Sequence, residues 1–361
     1  MAEALKDRFL QRPFLEAFGA SMSGVYPEWS QSDFLSHIYT PEWEAMELKE
    51  RMTQVSLAVG KCLPQDFERA VNILKAANDG TESFDGLVYA DFVLHHGQDH
   101  PDIALDALEI FTRLGSAEFA IRPFILKYEK LTMQRMLDWS KHENVHVRRL
   151  ASEGCRPRLP WAPALPAFKR DPSPILPILE NLKDDPELYV RKSVANNLND
   201  LTKDNPELVL GLLERWNKEP TTNTRWIIKQ ALRSLIKAGD QSALAMLGYR
   251  EANAEVKNLN FPKSVTLGDK IKITFDLTNT GKSASDLMID YIIYHQKANG
   301  TLTPKVFKLS SLTLAPGESK QFGKQHAIKP ITTRKYHAGE HQIAIQVNGK
   351  ILAQNSFELK I

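Results

Sequence analysis

The apolar residues of the first 250 positions follow the spacing of amphipathic helices. Between residues 104 and 114 they recur every three or four positions, and Gly115 follows as a stop signal. In DDPELYVRKSVANNLNDL, Asp185 is placed to cap a helix and Pro186 to occupy its first turn. Thr224 is placed to cap a further helix that ends at Gly239. Residues 1–250 are therefore predicted to form a helical domain.

Part of this helical pattern repeats. Val147-Arg148 with Ala151 recurs 43 residues later as Val190-Arg191 with Val194, and Arg225 suggests a third copy at a shorter offset. Helical HEAT-type repeats have periods of about 40–47 residues. The pattern predicts a HEAT-like α-solenoid.

The pattern changes after Arg250. In the stretch that contains Ile271 and Ile273, and again around Ile343, apolar and polar residues alternate as in half-buried strands. Turn signals separate these stretches at residues 279–281 and 316–317 and at Asn348-Gly349. Residues 251–361 are therefore predicted to form an immunoglobulin-like β-sandwich, so the fold class is multidomain, α then β.

Charge is distributed unevenly along the chain. The net charge is −9 over residues 1–140, +5 over 141–250 and +6 over 251–361. This uneven distribution is typical of a protein that binds a polyanion on one side. The alternative interpretation is that the charges are scattered over a solvated surface. No apolar run reaches the roughly 18 residues that a membrane helix needs, and no signal-peptide core begins the chain. A cytoplasmic protein without metal, cofactor or disulfide is expected, since no known nucleotide, zinc or nucleophile motif is present.

Residues 146–170 combine many cations with one carboxylate and one tryptophan, Glu153 and Trp161. Glu153 precedes a predicted helix end, where the helix dipole disfavours a carboxylate, so its position is not explained by helix stability. A salt bridge to Arg149 or Arg156 is the structural alternative. Trp161 is equally well interpreted as a packing residue or as a stacking surface for a base or sugar.

Glu118 has a good structural explanation. Ser116 is placed to cap a helix, which would put Glu118 in its first turn with Arg122 four residues later. From the residues alone, this structural role is favoured.

Several cations occupy repeated or adjacent positions and are predicted to include the main phosphate contacts. Some of them are expected to pair with carboxylates instead. They are Arg148, Arg149, Arg156, Arg158, Lys169, Arg191, Lys192 and Arg225. In the C-terminal domain, Arg334, Lys335 and His337 lie in a turn-like basic segment that could approach a groove of DNA.

The strings GSAEFAIRPFI, HVRRLASEGCRPRLPWA, VRKSVANNLNDL and NTRWIIKQALRSL resemble the AlkC branch of the AlkC/AlkD DNA glycosylases. The tail TTRKYHAGEHQIAIQVNGK is similar to the immunoglobulin-like domain of one AlkC subgroup, although that subgroup usually has Tyr-Pro in place of His337-Ala338. The resemblance implies a monomeric, monofunctional enzyme that hydrolyses the N-glycosidic bond of cationic bases, mainly 3-methyladenine, in duplex DNA. It implies no deep extrusion of the base, and it places Glu118, Glu153 and Trp161 beside the deoxyribose. The alternative function is a non-enzymatic HEAT-repeat scaffold that binds DNA structures or proteins.

Overall fold

The computed structural model describes residues 8–78, 80 and 82–361. Helices occupy the described chain up to Met246, and strands follow from Ala254 onward. The helices are α1 (Arg12–Val25), α2 (Gln31–Ile38), α3 (Leu48–Cys62), α4 (Phe67–Ala77), α5 (Leu87–His96), α6 (Pro101–Phe111), α7 (Ile121–Lys127), α8 (Glu129–Trp139), α9 (Val145–Glu153), α10 (Pro166–Arg170), α11 (Leu176–Leu182), α12 (Leu188–Leu201), α13 (Pro206–Trp216), α14 (Thr222–Ala231), α15 (Arg233–Ala238) and α16 (Gln241–Met246). A short 3₁₀ helix, Trp43–Ala45, precedes α3.

Two predicted helix starts are wrong in detail. Helix α12 begins at Leu188, and Asp185 accepts a hydrogen bond from the backbone N–H of Glu187 in the turn before it. Helix α14 is capped by Thr221, whose hydroxyl accepts from the backbone N–H of Thr224. The helix predicted to end at Gly239 is instead two helices, because a turn at Leu232 interrupts the helical conformation between α14 and α15.

The 43-residue repeat is visible in the hydrogen bonds. Helices α9 and α12 start 43 residues apart, at Val145 and Leu188. Arg148 Nη1 donates to the carbonyls of residues 142 and 143 at 3.0 and 2.6 Å. Arg191 Nη1 donates to those of residues 185 and 186, the equivalent positions, at 2.8 and 2.6 Å. Within the described chain the suggested third copy at Arg225 has no such pair of bonds.

Eight strands form two sheets in the C-terminal region of the described chain. They are β1 (Ala254–Asn260), β2 (Ser264–Thr266), β3 (Lys270–Asn279), β4 (Ser285–Gln296), β5 (Leu302–Leu314), β6 (Ser319–Ala327), β7 (Gly339–Val347) and β8 (Lys350–Lys360). One sheet has the order β1-β3-β6, and the other has the order β2-β8-β7-β4-β5. Only β2 and β8 pair in parallel among these strands.

The alternating residues of the predicted strands form the core of the sandwich. Ile271, Ile273 and Ile343 are buried there together with Phe275, which stacks on Phe322. The β7–β8 hairpin turns at Asn348-Gly349 with φ of 44° and 81°, the left-handed pair that a tight hairpin requires. The prediction of a helical region followed by an immunoglobulin-like sandwich is confirmed.

The chain divides into two compact units. The first extends to Val209 and includes Lys218–Ala231, and the second comprises Leu210–Asn217 and Leu232–Ile361. The change from helix to strand lies close to the predicted boundary at residue 250. None of the helices described here has the length and apolar character needed to cross a bilayer.

Candidate active site

Glu118, Glu153 and Trp161 line one cavity of about 390 Å³. Glu118 lies in the turn before α7, Glu153 is the last residue of α9, and Trp161 lies in the loop between α9 and α10. Three separate segments of the first compact unit, called the helical unit from here on, therefore bring together the two carboxylates and the indole. This clustering is the arrangement that an enzyme would require and that a scaffold would not.

The structural explanation predicted for Glu118 is wrong. Helix α7 begins only at Ile121, so Glu118 precedes the helix and is not in its first turn. Arg122 does not pair with Glu118, because its guanidinium is buried and donates to the carbonyl oxygens of Gly154 and Arg156. The position of Glu118 is therefore not accounted for by helix stability.

Arg149 connects the two carboxylates of the cavity. Its Nη1 lies 2.9 Å from Glu118 Oε2, and its Nη2 lies 3.6 Å from Glu153 Oε1. Burial acts to lower the pKa of Arg149, but the charges of Glu118 and Glu153 outweigh burial and raise it.

A second arginine holds Glu153 from the other side. Arg156 Nη1 lies 2.6 Å from Glu153 Oε1, and its Nε lies 3.0 Å from Asp200 Oδ2. These three side chains are almost completely buried. Burial acts to lower the pKa of Arg156, and the charges of Glu153 and Asp200 reverse that effect and raise it. The salt bridges that were the structural alternative for Glu153 are therefore present, with both Arg149 and Arg156, and they fix the carboxylate in the cavity wall.

Trp161 is not a packing residue. The residue is 65% exposed, and its backbone has a φ of 62°, in the left-handed region. A second exposed aromatic residue, Tyr189 at the start of α12, lines the same cavity. Arg149 lies over the Tyr189 ring, 5.0 Å from its centre. Sequence reasoning missed Tyr189, although the 43-residue repeat places it in register with His146, whose ring it contacts.

Most of the predicted phosphate contacts form interactions within the protein. Arg148 pairs with Asp185 at 2.6 Å, and Arg158 pairs with Asp204 at 2.7 Å. Together with Arg149, Arg156 and the carbonyl-bound Arg191, five of the eight cations have partners inside the helical unit. The remaining three, for which no ion pair is found within the described residues, are the half-buried Lys169 and the exposed Lys192 and Arg225.

The basic segment of the C-terminal domain lies between β6 and β7. Arg334 is half-buried and donates from Nη1 to His295 Nε2 at 2.6 Å. Lys335 is exposed, and the carbonyl of His337 accepts a hydrogen bond from His341. Arg334 therefore anchors the segment, and the Lys335 side chain extends into solvent.

No group of three or more potential metal ligands is arranged to hold an ion in the described part of the chain.

Comparison with known proteins identifies the family. Residues 115–235 match the family of DNA alkylation repair enzymes, and residues 255–361 match the C-terminal Ig-like domain of YhaZ. The chain is 38% identical over 337 residues to the uncharacterized protein YhaZ of Bacillus subtilis, covering 92% of this chain and 93% of that protein. It is 39% identical to the Pseudomonas fluorescens alkylpurine DNA glycosylase AlkC bound to DNA containing an abasic site analog, covering 99% and 100% of the two chains with a TM-score of 0.93.

The chain belongs to the AlkC family of DNA glycosylases. The resemblance inferred from the motifs is therefore confirmed. As an AlkC-family protein, it is of the type with a C-terminal Ig-like domain. The region matched to the alkylation repair enzymes contains both glutamates and the tryptophan of the cavity.

Proposed function

We propose that this protein is a monofunctional DNA glycosylase that removes cationic alkylated bases, chiefly 3-methyladenine, from duplex DNA. The observation that carries the proposal is the convergence of Glu118, Glu153 and Trp161 on one cavity. Membership of the AlkC family supports the same reaction class.

The two carboxylates suit the charge that develops during loss of the base. Cleavage of an N-glycosidic bond gives the sugar the character of an oxocarbenium ion, as in glycoside hydrolysis. Glu118 and Glu153 are held by arginines, so they are oriented before substrate arrives. Such preorganised charges stabilise the developing cation, and either carboxylate can orient the attacking water.

The aromatic residues add to this stabilisation. The exposed face of Trp161 attracts a cationic sugar through its ring electrons, and Tyr189 keeps the Arg149 guanidinium in place. Selectivity follows from the leaving group, because a base that already carries positive charge departs without protonation. A deep, base-shaped pocket is therefore not required.

Phosphate contacts are assigned to those of the predicted cations that have no ion pair in the described chain. In the helical unit these are Lys169, Lys192 and Arg225, and in the C-terminal domain Lys335 and His337 are the candidates. Arg334 positions the C-terminal segment through its hydrogen bond to His295. The C-terminal domain is proposed to add affinity for the duplex.

The non-enzymatic scaffold is the competing function. A scaffold has no need for two glutamates and an exposed tryptophan in one cavity, since partner binding does not require oriented carboxylates. The clustering of these residues therefore favours the enzyme.

The decisive experiment measures base release from methylated duplex DNA by the purified full-length chain. We expect 3-methyladenine to be released with or without a metal chelator. Glu118→Gln and Glu153→Gln should each lower the single-turnover rate by on the order of a hundredfold, with little change in DNA affinity. The matched control is Glu143→Gln, an exposed carboxylate outside the cavity lining.

Two results would contradict the proposal. Absence of base release by the unmodified protein, together with intact duplex binding, would favour the scaffold. Full activity of both glutamine variants would show that the cavity carboxylates do not take part in the reaction.

A further inference from the structure

The backbone of Trp161 adopts a conformation that it does not prefer. Its φ of 62° lies in the left-handed region, which residues other than glycine, asparagine and aspartate rarely adopt. Such a conformation persists only when neighbouring groups hold it. The groups that contact this segment therefore determine where the exposed indole points.

One side of the segment is held from inside the protein. Arg122 on α7 is 1% exposed and donates from Nε to the carbonyl of Pro163 at 2.9 Å. Its Nη1 donates to the carbonyls of Gly154 and Arg156 at 3.0 and 2.9 Å. These bonds fix the chain before and after Trp161, but they do not involve the Trp161 peptide itself.

The peptide between Trp161 and Ala162 is held at both of its ends. Its N–H donates weakly across the turn to the Leu159 carbonyl at 3.4 Å, and its carbonyl is held from a distant helix. Lys49, the second residue of α3, donates from Nζ to the Trp161 carbonyl at 2.7 Å. The same ammonium group lies 4.8 Å from the ring centre of Phe119, which lines the cavity beside Glu118. Lys49 takes part in no ion pair within the described chain, and 112 residues separate it from Trp161.

We propose that Lys49 is a positioning residue that holds the Trp161 peptide in its left-handed conformation and so keeps the indole in the cavity wall. The effect on catalysis rests on the function proposed above, whereas the effect on the indole does not. Without the ammonium group, the peptide can rotate toward the extended region that tryptophan prefers, which would move the indole away from the two carboxylates.

The first test reads the indole directly. Lys49 is exposed, so Lys49→Met is expected to fold, and Lys61→Met on the same helix is a matched exposed control. The protein has six tryptophans, and labelling with 5-fluorotryptophan gives each a fluorine resonance that ¹⁹F NMR can follow. The Trp161 signal is assigned as the one lost in Trp161→Phe.

We expect Lys49→Met to shift or broaden the Trp161 resonance and to leave the other five unchanged. Lys61→Met should alter none of the six. An unchanged Trp161 resonance in Lys49→Met would overturn the proposal, whether or not the protein proves to be a glycosylase.

The second test separates positioning from DNA contact. At saturating enzyme, Lys49→Met should lower the single-turnover excision rate about tenfold or more, because a displaced catalytic group acts mainly on the chemical step. The dissociation constant for duplex DNA and its salt dependence should stay as in the parent protein. Lys49→Arg, which keeps a donor at the same place, should restore most of the rate.

An effect on DNA affinity without an effect on the excision rate would refute the positioning role. If Lys49→Met weakens binding, lowers the salt slope by about one unit and leaves the saturated rate unchanged, Lys49 contacts a phosphate. If the parent protein releases no base, the proposed function fails, and the fluorine spectra alone decide the role of Lys49.

Discussion

Replacing Arg156 by methionine should destabilise the helical unit without reducing the salt-dependent part of its affinity for DNA. The guanidinium lies 2.6 Å from Glu153 Oε1 and 3.0 Å from Asp200 Oδ2. The side chains of Arg156, Glu153 and Asp200 expose only 8%, 7% and 5% of their surfaces. Methionine retains the apolar stem and removes the charge, so Arg156→Met leaves two buried carboxylates with weaker partners.

The size of the effect follows from those partners. Removing one member of a buried ion pair costs about 3–5 kcal/mol, because the remaining charge is uncompensated. Arg149 remains 3.6 Å from Glu153, and Lys203 remains 3.7 Å from Asp200, which favours the lower end of that range. A loss of about 3 kcal/mol lowers the melting temperature of a domain of this size by about 6–12 °C.

Thermal unfolding is monitored through the circular dichroism of the helices. In parallel, the affinity for DNA is measured at several salt concentrations. Arg158→Met is the matched control, since that side chain is 35% exposed and its pair with Asp204 should contribute no more than about 1 kcal/mol. An Arg156→Met protein that melts like the parent but loses about one unit of salt slope would refute this reasoning and identify Arg156 as a phosphate contact.

Three other predictions concern single residues. Lys192→Met should lower the salt slope of DNA binding by about one unit and leave the melting temperature unchanged, as measured by titration and thermal unfolding. Lys335→Ala should weaken duplex binding without altering the fold, whereas Arg334→Ala should also lower the melting temperature of the second unit, because His295 loses its partner. Burial raises the pKa of Asp290 to about 6, so the folded state holds this proton more tightly than the unfolded chain does. Stability should therefore fall by about 3 kcal/mol as pH rises from about 4 to about 6, and Asp290→Asn should raise the melting temperature at about pH 8 but not at about pH 4.

The fold was predictable because its signals are local. Alternation around Ile271 and Ile343 predicts strands with one buried face, and Asn348-Gly349 predicts the hairpin whose left-handed φ values the structure shows. The residue that caps the N-terminus of a helix was less predictable. For α14, Thr221 and Thr224 offer similar hydroxyls one turn apart. Only the geometry of the preceding turn decides which of them reaches a free N–H.

The site was harder to predict because its contacts are not local. The arginines of residues 146–170 look like a phosphate-binding cluster when only neighbours in sequence are considered. Two of them pair with carboxylates about one repeat further along the chain: Arg156 with Asp200, 44 residues away, and Arg158 with Asp204, 46 residues away. A search for acidic residues one period later would have found these pairs. Nothing in the sequence links Lys49 to Trp161.

Under the proposed function, the ion pairs would make the cavity better suited to a cation than to an anion. Arg148, Arg149, Arg156 and Arg158 each contact at least one carboxylate, and Arg149 and Arg156 each contact two. These four arginines therefore fix the carboxylates in place, and their own positive charge is compensated by those carboxylates. A phosphate gains little from such surroundings, whereas a sugar that becomes positive only in the transition state meets carboxylates that need no reorientation. Under the proposed function, binding of the DNA backbone would then come from cations outside the cavity. Phosphate binding and catalysis would be carried by separate sets of residues, and we expect mutations to change them independently.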